Sequence, residues 1–525
     1  MTAFAPLPLN TPHPRRPTLR AGWLAVVLCL ALADGLAAAT NGWFGIQVVD
    51  DQTGRGVPLV ELETVNHLRF VTDNAGRVAF HEPGLMGQSV FFSVRSHGYE
   101  FPKDGFGYAG KALTPVAGGR AELRIRRVNL AERLCRLTGE GLYRDSVLLG
   151  EPTPLAEPLG MGMVAGQDSV QAAPYRGRLY WFWGDTERMS YPLGHFGTAG
   201  AVSELPRPGG RSPAEGIDFR YFTNRSGFSR PVCGLGTTKG VVWIDGLLTV
   251  SDAAGRERLV AHYEHLESLG KRLSHGLAVF NDERGEFERL LELDRAERWR
   301  FPQGQPVRHS EGGRDWWLFG EVLPNARVPA RFEALTNAVS YEAWTCLSPA
   351  ADGAKATVRR RADGRLDFAW TSNAPPLTPA DEARLRQAGQ ITAAEAQFQP
   401  TDAATGQPVE LHRSSVRWNA HRQRWVMIAC QRGGTSYLGE IWYLEAPAPT
   451  GPWRQAVKIV THANYSFYNP VQHAFFDQDG GRVIYFEGTY TSTFANHPEP
   501  TPRYDYNQIL YRLDLNDPRL AGAKE

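Results

Sequence analysis

Two aspartates in one short hairpin could act together as a general acid and a base. Asp168 and Asp185 lie equally far along the chain from a turn centred between Arg176 and Gly177. In an antiparallel pair, equidistant residues face each other with Cα atoms about 4.5–5.5 Å apart. Two carboxylates held opposite each other repel, and the repulsion raises the pKa of one of them, as acid–base catalysis requires. We therefore predict that Asp168 and Asp185 are the leading catalytic residues.

Further acids end the corresponding strands of later hairpins. About a turn at residues 254–255, Asp245 is predicted to lie opposite Glu264. Glu321 and Glu487 end two more of these strands and are candidates for the general acid. All of these acids lie at the same end of their hairpins. If the hairpins are arranged in a ring, the acids should meet at one mouth of its central funnel. Hydrolysis of a glycosidic bond needs a proton donor and a base on opposite sides of that bond, and separate hairpins can supply them.

Polar and aromatic side chains near these acids are candidates for substrate binding. Glu487 is expected roughly opposite Gln472 or His473. Amide, imidazole and guanidinium groups can bind sugar hydroxyls or tune a carboxylate, and flat rings can stack on sugar rings. The candidate binding residues are Gln167, Gln303, Arg417, Asn469, Gln472, His473 and Tyr490. Further aromatic residues around the last hairpin are Tyr465, Phe467, Tyr468, Phe494, Tyr504 and Tyr506.

Structural and metal-binding roles are the alternatives for these residues. An aspartate beside a turn often caps backbone N–H groups, and His473 could pack in the core without touching substrate. A ring of acids could instead hold a calcium ion. The sequence contains no HExxH, GxSxG, P-loop or dinucleotide motif. We therefore expect no required cofactor and no catalytic metal, and keep a structural calcium ion as the alternative.

A repeated hairpin positions the acids. One strand type recurs five times and ends in a carboxylate or an amide, as FWGD, AHYE, LFGE, IACQ and IYFE. Each copy follows a polar turn and an earlier strand, and a third strand comes after it. This repeat predicts an all-β fold with a five-bladed β-propeller at residues 128–520. A double-layer sandwich or jelly roll is the alternative, and residues 375–407 are expected to form a surface insertion with a short helix.

Two segments precede the predicted propeller. Residues 1–39 combine arginines, an apolar run too short to span a bilayer and an A-x-A cleavage site, which is typical of a signal peptide. General export is favoured, and Arg15-Arg16 leaves twin-arginine export as the alternative. Residues 43–127 alternate apolar and polar side chains between turns, which predicts a small Ig/transthyretin-like β-sandwich as an accessory domain. This organisation predicts a secreted or periplasmic protein that is free of the membrane after signal cleavage.

Charge and cysteine content narrow the possible partners. Lys plus Arg number 57 against 56 Asp plus Glu, which gives a formal net charge of +1. Nucleic acid is therefore not an expected partner, because its binding needs a basic field. The cysteines that follow the signal peptide show no CxxC spacing, so we expect buried thiols, with one disulfide as the alternative. We expect a monomer.

Several stretches of the sequence resemble known families. GQDSVQAAPYRGRLYWFWGDT, at residues 166–186, resembles the opening hairpin of the bacterial endo-D-arabinanase group. GEIWYLEAPAPTGPW, at residues 439–453, resembles a strand and turn of the five-bladed β-propeller glycoside hydrolase superfamily, which includes families 43 and 32. VVDDQTGRGVP, VTDNAGRVAF and SVRSHGYE resemble carboxypeptidase regulatory-like domains of secreted bacterial enzymes. Asp168 is followed by serine, whereas the opening motifs of families 43 and 32 have proline there.

The resemblance and the paired acids together predict an exported carbohydrate-active enzyme. We expect a glycoside hydrolase that acts on a polysaccharide or oligosaccharide through carboxylates in the propeller funnel. A polysaccharide lyase is one alternative, in which His473 or Tyr490 could serve as the base. A propeller that binds glycan or protein without turnover is the other alternative.

Overall fold

The computed structural model describes residues 42–237, 239–349, 357–435, 437–495 and 497–524. The predicted signal peptide at residues 1–39 lies outside these ranges. The described chain is all-β, and from Trp43 onward it forms one compact unit. None of the helices in these ranges has the length and apolar character needed to cross a bilayer.

The first eight strands form two four-stranded sheets, here called sheets A and B. The strands are β1 (Phe44–Asp50), β2 (Glu61–Thr64), β3 (Arg69–Val71), β4 (Arg77–Phe80), β5 (Val90–Arg95), β6 (Tyr99–Glu100), β7 (Gly110–Leu113) and β8 (Arg120–Arg127). Sheet A has the order β4-β1-β8-β6, and sheet B has the order β3-β2-β5-β7. Buried side chains of both sheets, such as Ile46, Phe92 and Leu123, share one hydrophobic cluster. Buried and less buried side chains alternate along β5 and β8, as the sequence pattern predicts, whereas β1 is buried on both sides.

The rest of the described chain is dominated by five more sheets, here called sheets I to V. Their strands are β9 (Glu132–Arg136), β10 (Val164–Gln167), β11 (Val170–Tyr175), β12 (Arg178–Trp183), β13 (Thr186–Arg188), β14 (Tyr191–His195), β15 (Ala199–Glu204), β16 (Arg220–Tyr221), β17 (Val241–Ser251), β18 (Glu257–Ser268), β19 (Lys271–Asn281), β20 (Glu286–Glu292), β21 (Val307–Glu311), β22 (Arg314–Phe319), β23 (Ala326–Pro329), β24 (Glu342–Thr345), β25 (Ala369–Thr371), β26 (Phe398–Asp402), β27 (Leu411–Asn419), β28 (Arg424–Gln431), β29 (Ile441–Ala446), β30 (Trp453–Val460), β31 (Ser466–Gln472), β32 (Val483–Thr491) and β33 (Asn507–Asp514).

Each of the five sheets contains an antiparallel meander, which in sheet IV runs from β27 to β30. Sheet I has the order β11-β12-β15-β16, sheet II β17-β18-β19-β20 and sheet III β21-β22-β23-β24-β25. Sheet IV has the order β26-β30-β29-β28-β27, and sheet V the order β31-β32-β33-β9. A small sheet, β10-β13-β14, branches from sheet I. Helices are few and short: α1 (Arg144–Leu148), α2 (Phe332–Leu335) and α3 (Pro379–Gln387), with 3-10 turns at Pro213–Glu215, Ala338–Ser340, Ala474–Phe476, Asp479–Gly481 and Pro518–Lys524.

Hydrophobic clusters join each of these sheets to two others. Four clusters connect sheets I and II, II and III, III and IV, and IV and V. A fifth cluster combines Leu510 of sheet V with Trp181 of sheet I. A sheet that is apolar on both faces must bury both of them, so each sheet packs between two neighbours. Pairing of β9 with β33, for example Cys135 opposite Leu510, also joins the start of this region to its end.

The predicted insertion at residues 375–407 contains the expected helix. Helix α3 begins with a capping box, in which Thr378 and Asp381 exchange hydrogen bonds between side chain and backbone. The buried carboxylate of Glu382 accepts the backbone N–H groups of Gln397 and Phe398, both at 2.9 Å. The end of this stretch is not a surface loop, because β26 adds to sheet IV as a parallel neighbour of β30.

A fully buried arginine fixes sheets A and B to sheet V. Arg133 lies on β9 and is 0% exposed. Its Nε donates to the carbonyl of Pro58 at 3.0 Å, and one Nη donates to the carbonyl of His97 at 3.0 Å. Its other Nη donates to the carbonyl of Leu59 and to the hydroxyl of Ser96. One side chain therefore satisfies several buried acceptors of the N-terminal sheets.

Replacing Arg133 with methionine is expected to destabilise the protein by about 3 kcal/mol, because several buried carbonyl groups lose their donors. Urea unfolding followed by circular dichroism would measure the change. Arg124→Met is the matched control, since Arg124 lies on the neighbouring strand β8 and is exposed. A loss in R133M no greater than in R124M would contradict the linking role of Arg133.

Candidate functional site

A cavity of about 750 Å³ is lined by residues from all five sheets I to V. Each sheet contributes at least one charged or polar side chain, and these include Asp168, Asp245, Glu321, Arg413 and Asn469. The cavity therefore brings together residues as far apart in the sequence as Asp168 and Phe494. Most of these residues lie at or near the beginnings of β11, β17, β27 and β31.

A second cavity of about 420 Å³ is lined by later residues of the same strands. On β11, for example, Gln171 lines the first cavity and Ala173 lines the second. On β27, Arg413 lines the first cavity and Arg417 lines the second. These first strands of the sheets therefore all run in the direction from the first cavity to the second.

The predicted register of the first hairpin is confirmed. β11 and β12 pair from Val170 opposite Trp183 to Tyr175 opposite Arg178. The pairing continues beyond the strands, because the backbone N–H of Asp168 donates to the carbonyl of Asp185 at 3.0 Å. The two aspartates therefore lie opposite each other, as the spacing about the turn predicts.

Asp168 is a carboxylate held by four donors. The backbone N–H and the hydroxyl of Ser169 donate to its Oδ1, at 2.5 and 2.9 Å. The hydroxyl of Tyr468 also donates to Oδ1, and the hydroxyl of Tyr506 donates to Oδ2 at 3.0 Å. Hydrogen bonds from donors stabilise the negative charge of a carboxylate. Asp168 also lines the first cavity, so a ligand there can meet a carboxyl group that is fixed in position.

Asp185 is half-buried and contacts the cavity lining through a neighbour. It does not line the first cavity, but its Oδ1 accepts the indole N–H of Trp243 at 2.7 Å, and Trp243 does line it. The backbone N–H of Gly197 donates to the same oxygen at 3.0 Å. Partial burial raises the pKa of Asp185 to about 6; these two hydrogen bonds oppose the rise, and the charge of Asp168 adds to it.

The predicted opposition of Asp245 and Glu264 is wrong. Asp245 lies opposite His262, and Glu264 lies opposite Trp243. The turn is centred one half-residue earlier than predicted, and a β-bulge between Asp245 and Leu248 shifts the pairing by a further residue. Asp245, Glu264, Trp243 and His262 nevertheless all line the first cavity.

Asp245, Glu321 and Arg413 form a charged group on one side of the cavity. Asp245 accepts hydrogen bonds from the amide of Gln171 at 3.0 Å and the backbone N–H of Gly304 at 2.9 Å. The guanidinium of Arg413 lies 3.5 Å from the Asp245 carboxylate. The charge of Asp245, and more weakly that of Glu321, raises the pKa of Arg413. Glu321 is exposed to the cavity and its carboxylate has no hydrogen-bond or ion-pair partner in the described ranges.

Glu487 is not brought to the first cavity, which corrects its placement among the converging acids. Its Cα partner on β31 is Val471, not Gln472 or His473, because residues 473–482 form an irregular connection with two 3-10 turns in place of a tight hairpin. The Glu487 side chain is 1% exposed, and its Oε1 lies 3.0 Å from Nε2 of the equally buried His473. This carboxylate therefore faces the packing between sheets, out of reach of a ligand in the cavity.

The candidate binding residues divide into three groups. Gln303 and Asn469 line the first cavity, where the amide of Asn469 donates to the Ser169 hydroxyl at 2.8 Å. Gln472, His473 and Arg417 line the second cavity instead. There, burial lowers the pKa of Arg417 to about 10, and its guanidinium donates to two backbone carbonyls.

Gln167 and Tyr490 are structural residues in the core. Gln167 is 0% exposed, and its Oε1 accepts the hydroxyl of Tyr221 at 2.8 Å. The ring of Tyr490 stacks on Tyr465 with 4.0 Å between centroids, and its hydroxyl lies 2.8 Å from Nε2 of His97. Of the further aromatic residues, Tyr468 and Phe494 line the first cavity, whereas Phe467 and Tyr504 are buried in the core.

Several cavity residues are missed by the sequence reasoning. Trp243 and His262 each lie two residues before a predicted acid, Asp245 or Glu264. The other copies of the hairpin do not have the same residue type at these positions, so the repeat does not mark them. Arg413 lies four positions before the predicted Arg417 on the same strand, so only the depth along β27 separates them. The strand pattern predicts which face of the sheet a side chain lies on, but not whether it lines the first or the second cavity.

No group of three or more His, Cys, Asp or Glu side chains in the described ranges is arranged to hold a metal ion. The cysteines Cys135, Cys233, Cys346 and Cys430 are free and buried. Burial raises the pKa values of the Cys135, Cys233, Cys346 and Cys430 thiols, which keeps these groups protonated.

No protein-family model and no curated protein matches this chain. Solved structures with some similarity include a family 43 glycoside hydrolase from Bacillus licheniformis, 10% identical, covering 65% of this chain and 70% of that one, with a TM-score of 0.31. An exo-β-1,3-galactanase from Phanerochaete chrysosporium is 8% identical and covers 73% of this chain and 64% of that one, with a TM-score of 0.33. An endo-1,5-α-L-arabinanase from Thermotoga petrophila is 11% identical and covers 67% and 72%, with a TM-score of 0.33. At these TM-scores we draw neither a family nor an activity from the likeness.

Replacing Asp168 with asparagine is expected to lower the pKa of Asp185 from its value of about 6, because the negative charge that opposes ionisation is removed while the burial remains. Carbon-13 NMR of the aspartate carboxyl groups, assigned with Asp185→Asn, would follow the titration. Asp252 serves as the internal control, since its carboxylate is bound by Arg256. An unchanged titration of Asp185 would contradict the coupling of the pair.

Proposed function

We propose that sheets I to V are the blades of a five-bladed β-propeller and that the protein is a glycoside hydrolase. The five clusters support the ring, because each joins consecutive sheets and the fifth joins sheet V to sheet I. In such a ring the first strand of every sheet lines the central axis. The two cavities then lie towards opposite ends of that axis.

The observation that carries the function is one cavity lined by carboxylates from three consecutive sheets in different surroundings. Asp168 is fixed by four donors, which suits a base or a nucleophile. Glu321 has no partner in the described ranges and faces the cavity, which suits a proton donor to a leaving sugar. Asp245 is held by Gln171 and Arg413 and is the third carboxyl group of the cavity.

The rim of the cavity supports a carbohydrate substrate. Trp243, Tyr437, Tyr468 and Phe494 all line it and offer flat apolar faces beside the acids. Tyr437 and Phe494 are 46% and 49% exposed, so their rings are accessible to a ligand. Aromatic faces next to polar groups suit a ring whose CH bonds stack and whose hydroxyls form hydrogen bonds.

Asp185 has a supporting role in this proposal. It holds the indole of Trp243 and raises the local negative charge beside Asp168. Of Glu321 and Glu487, the two candidates for the general acid, only Glu321 lines the cavity, so Glu321 is the proton donor. A lyase loses its support, because Tyr490 is buried and His473 does not line the cavity that holds Asp168.

The remaining features of the protein are proposed from the sequence. Residues 1–39 would direct export to a secreted or periplasmic location, and a monomer would act on a polysaccharide or an oligosaccharide. Sheets A and B would form an Ig/transthyretin-like accessory domain, which the contacts of Arg133 attach to the propeller.

Asp168→Asn and Glu321→Gln are each expected to reduce polysaccharide hydrolysis on the order of 100- to 10,000-fold, because each removes one acid–base group while its size is kept. A panel of plant, algal and bacterial polysaccharides, with products identified by mass spectrometry, would supply the substrate and the rates. Glu292→Gln is the control, since Glu292 is exposed on β20 and does not line the cavity.

Full activity in either variant would overturn the assignment of that residue. Binding to a glycan array by the native protein, without turnover of any polymer in the panel, would overturn the hydrolase and favour a binding protein. The melting temperature of each variant would show that its fold is intact.

A further inference from the structure

A chain of hydrogen bonds fixes the proton of a histidine beside the cavity. His275, on β19, has its Nε2 2.8 Å from the backbone carbonyl of Asp294. A carbonyl oxygen only accepts hydrogen bonds, so Nε2 of His275 must carry the hydrogen. Burial lowers the pKa of His275, which keeps the ring neutral and leaves its Nδ1 as a lone pair.

The next link fixes His262 on the neighbouring strand β18. Its Nε2 lies 3.1 Å from Nδ1 of His275. Because Nδ1 of His275 can only accept in this neutral tautomer, Nε2 of His262 must donate. Burial lowers the pKa of His262 well below its usual value, so this ring is also neutral. The hydrogen of His262 is therefore on Nε2, and its Nδ1 is an acceptor.

Packing fixes the plane of the His262 ring. Phe301 stacks on it with 4.1 Å between centroids and 21° between planes. The ring of His275 meets the same phenylalanine edge-on at 5.2 Å. Since Phe301 also lines the first cavity, the ring of His262 is held against the cavity wall.

The acceptor of His262 has no partner of its own. His262 lines the first cavity and lies opposite Asp245 on β17. Its Nδ1 makes no hydrogen bond with any residue in the described ranges. This nitrogen is also not one of the fully buried polar atoms without a partner, so it keeps some solvent access. The nearby carboxylate of Asp245 is itself an acceptor that already receives hydrogen bonds from Gln171 and Gly304.

We propose that His262 is a specificity-determining residue that accepts a hydrogen bond from a free sugar hydroxyl through Nδ1. This inference rests on the proposed carbohydrate-binding function of the cavity. The ligand class is a sugar ring with an unsubstituted hydroxyl at this position, because a hydroxyl can donate to a neutral Nδ1 whereas an ether or ester oxygen cannot. A deoxy, O-methyl or O-acetyl group there would leave the buried acceptor unpaired and would bind more weakly.

The tautomer can be measured without any substrate. Nitrogen-15 NMR of the native protein, with the histidine signals assigned through His262→Gln and His275→Leu, reports which ring nitrogen carries the hydrogen. We expect hydrogen on Nε2 and a lone pair on Nδ1 of His262 at neutral pH. His275→Leu should relax this preference, because His262 loses its acceptor. Hydrogen on Nδ1 of His262 in the native protein would overturn the proposal.

Two variants of His262 distinguish recognition of a sugar hydroxyl from a structural role of the His262–His275 hydrogen bond. Asparagine at position 262 places an amide oxygen near the position of Nδ1, whereas glutamine reaches towards Nε2 and His275. His262→Gln should therefore raise KM roughly 5- to 15-fold with little change in kcat, and His262→Asn should keep KM within about 3-fold of the native value. The substrate is the polymer that the native protein cleaves most rapidly in the panel.

The outcomes distinguish this inference from the proposed function. Equal KM values for H262Q, H262N and the native protein would overturn the role of His262 and leave the hydrolase intact. Absence of both turnover and glycan binding by the native protein would overturn both proposals. If H262Q does not fold, His275→Leu decides in its place, since the loss of the tautomer preference should raise KM without lowering kcat.

Discussion

The apolar character of both faces of sheets I to V is the constraint on which the rest of this structure depends. A sheet with one apolar face can end a stack, but a sheet with two must lie between neighbours. Five such sheets in series satisfy that requirement only when the last also contacts the first, and the cluster around Trp181 and Leu510 makes that contact. Strand β9 completes sheet V by pairing with β33, so hydrogen bonding and apolar packing close the same junction.

The chemistry of the site follows from this arrangement. Because the first strands of the sheets run side by side in one direction, residues at their beginnings meet at a single cavity. The acids there differ in what surrounds them: four donors hold Asp168, a guanidinium faces Asp245, and Glu321 faces the cavity. Three carboxylates with three different sets of contacts can take different roles towards one ligand, which a row of identical surface acids cannot do.

Much of the fold is predictable from the sequence because strand periodicity and turn positions are local properties. The opposition of Asp168 and Asp185 is predicted correctly, since a tight turn and an unbroken ladder leave one register between them. The same reasoning fails for Asp245 and Glu264, because a bulge inserts a residue and no local pattern marks it. The predicted partner of Glu487 is also wrong, because the connection between β31 and β32 is a long one with two 3-10 turns and not a tight turn.

The pairing of β9 with β33 also determines when the protein can become complete during synthesis. Sheets A and B and strand β9 leave the ribosome early, whereas β33 (Asn507–Asp514) is the last strand of sheets I to V to emerge. Until those last residues emerge, β9 has no partner along one edge, and the apolar side of sheet I that faces sheet V remains uncovered. The contact between sheets I and V can therefore form only after all the sheets between them have been synthesised.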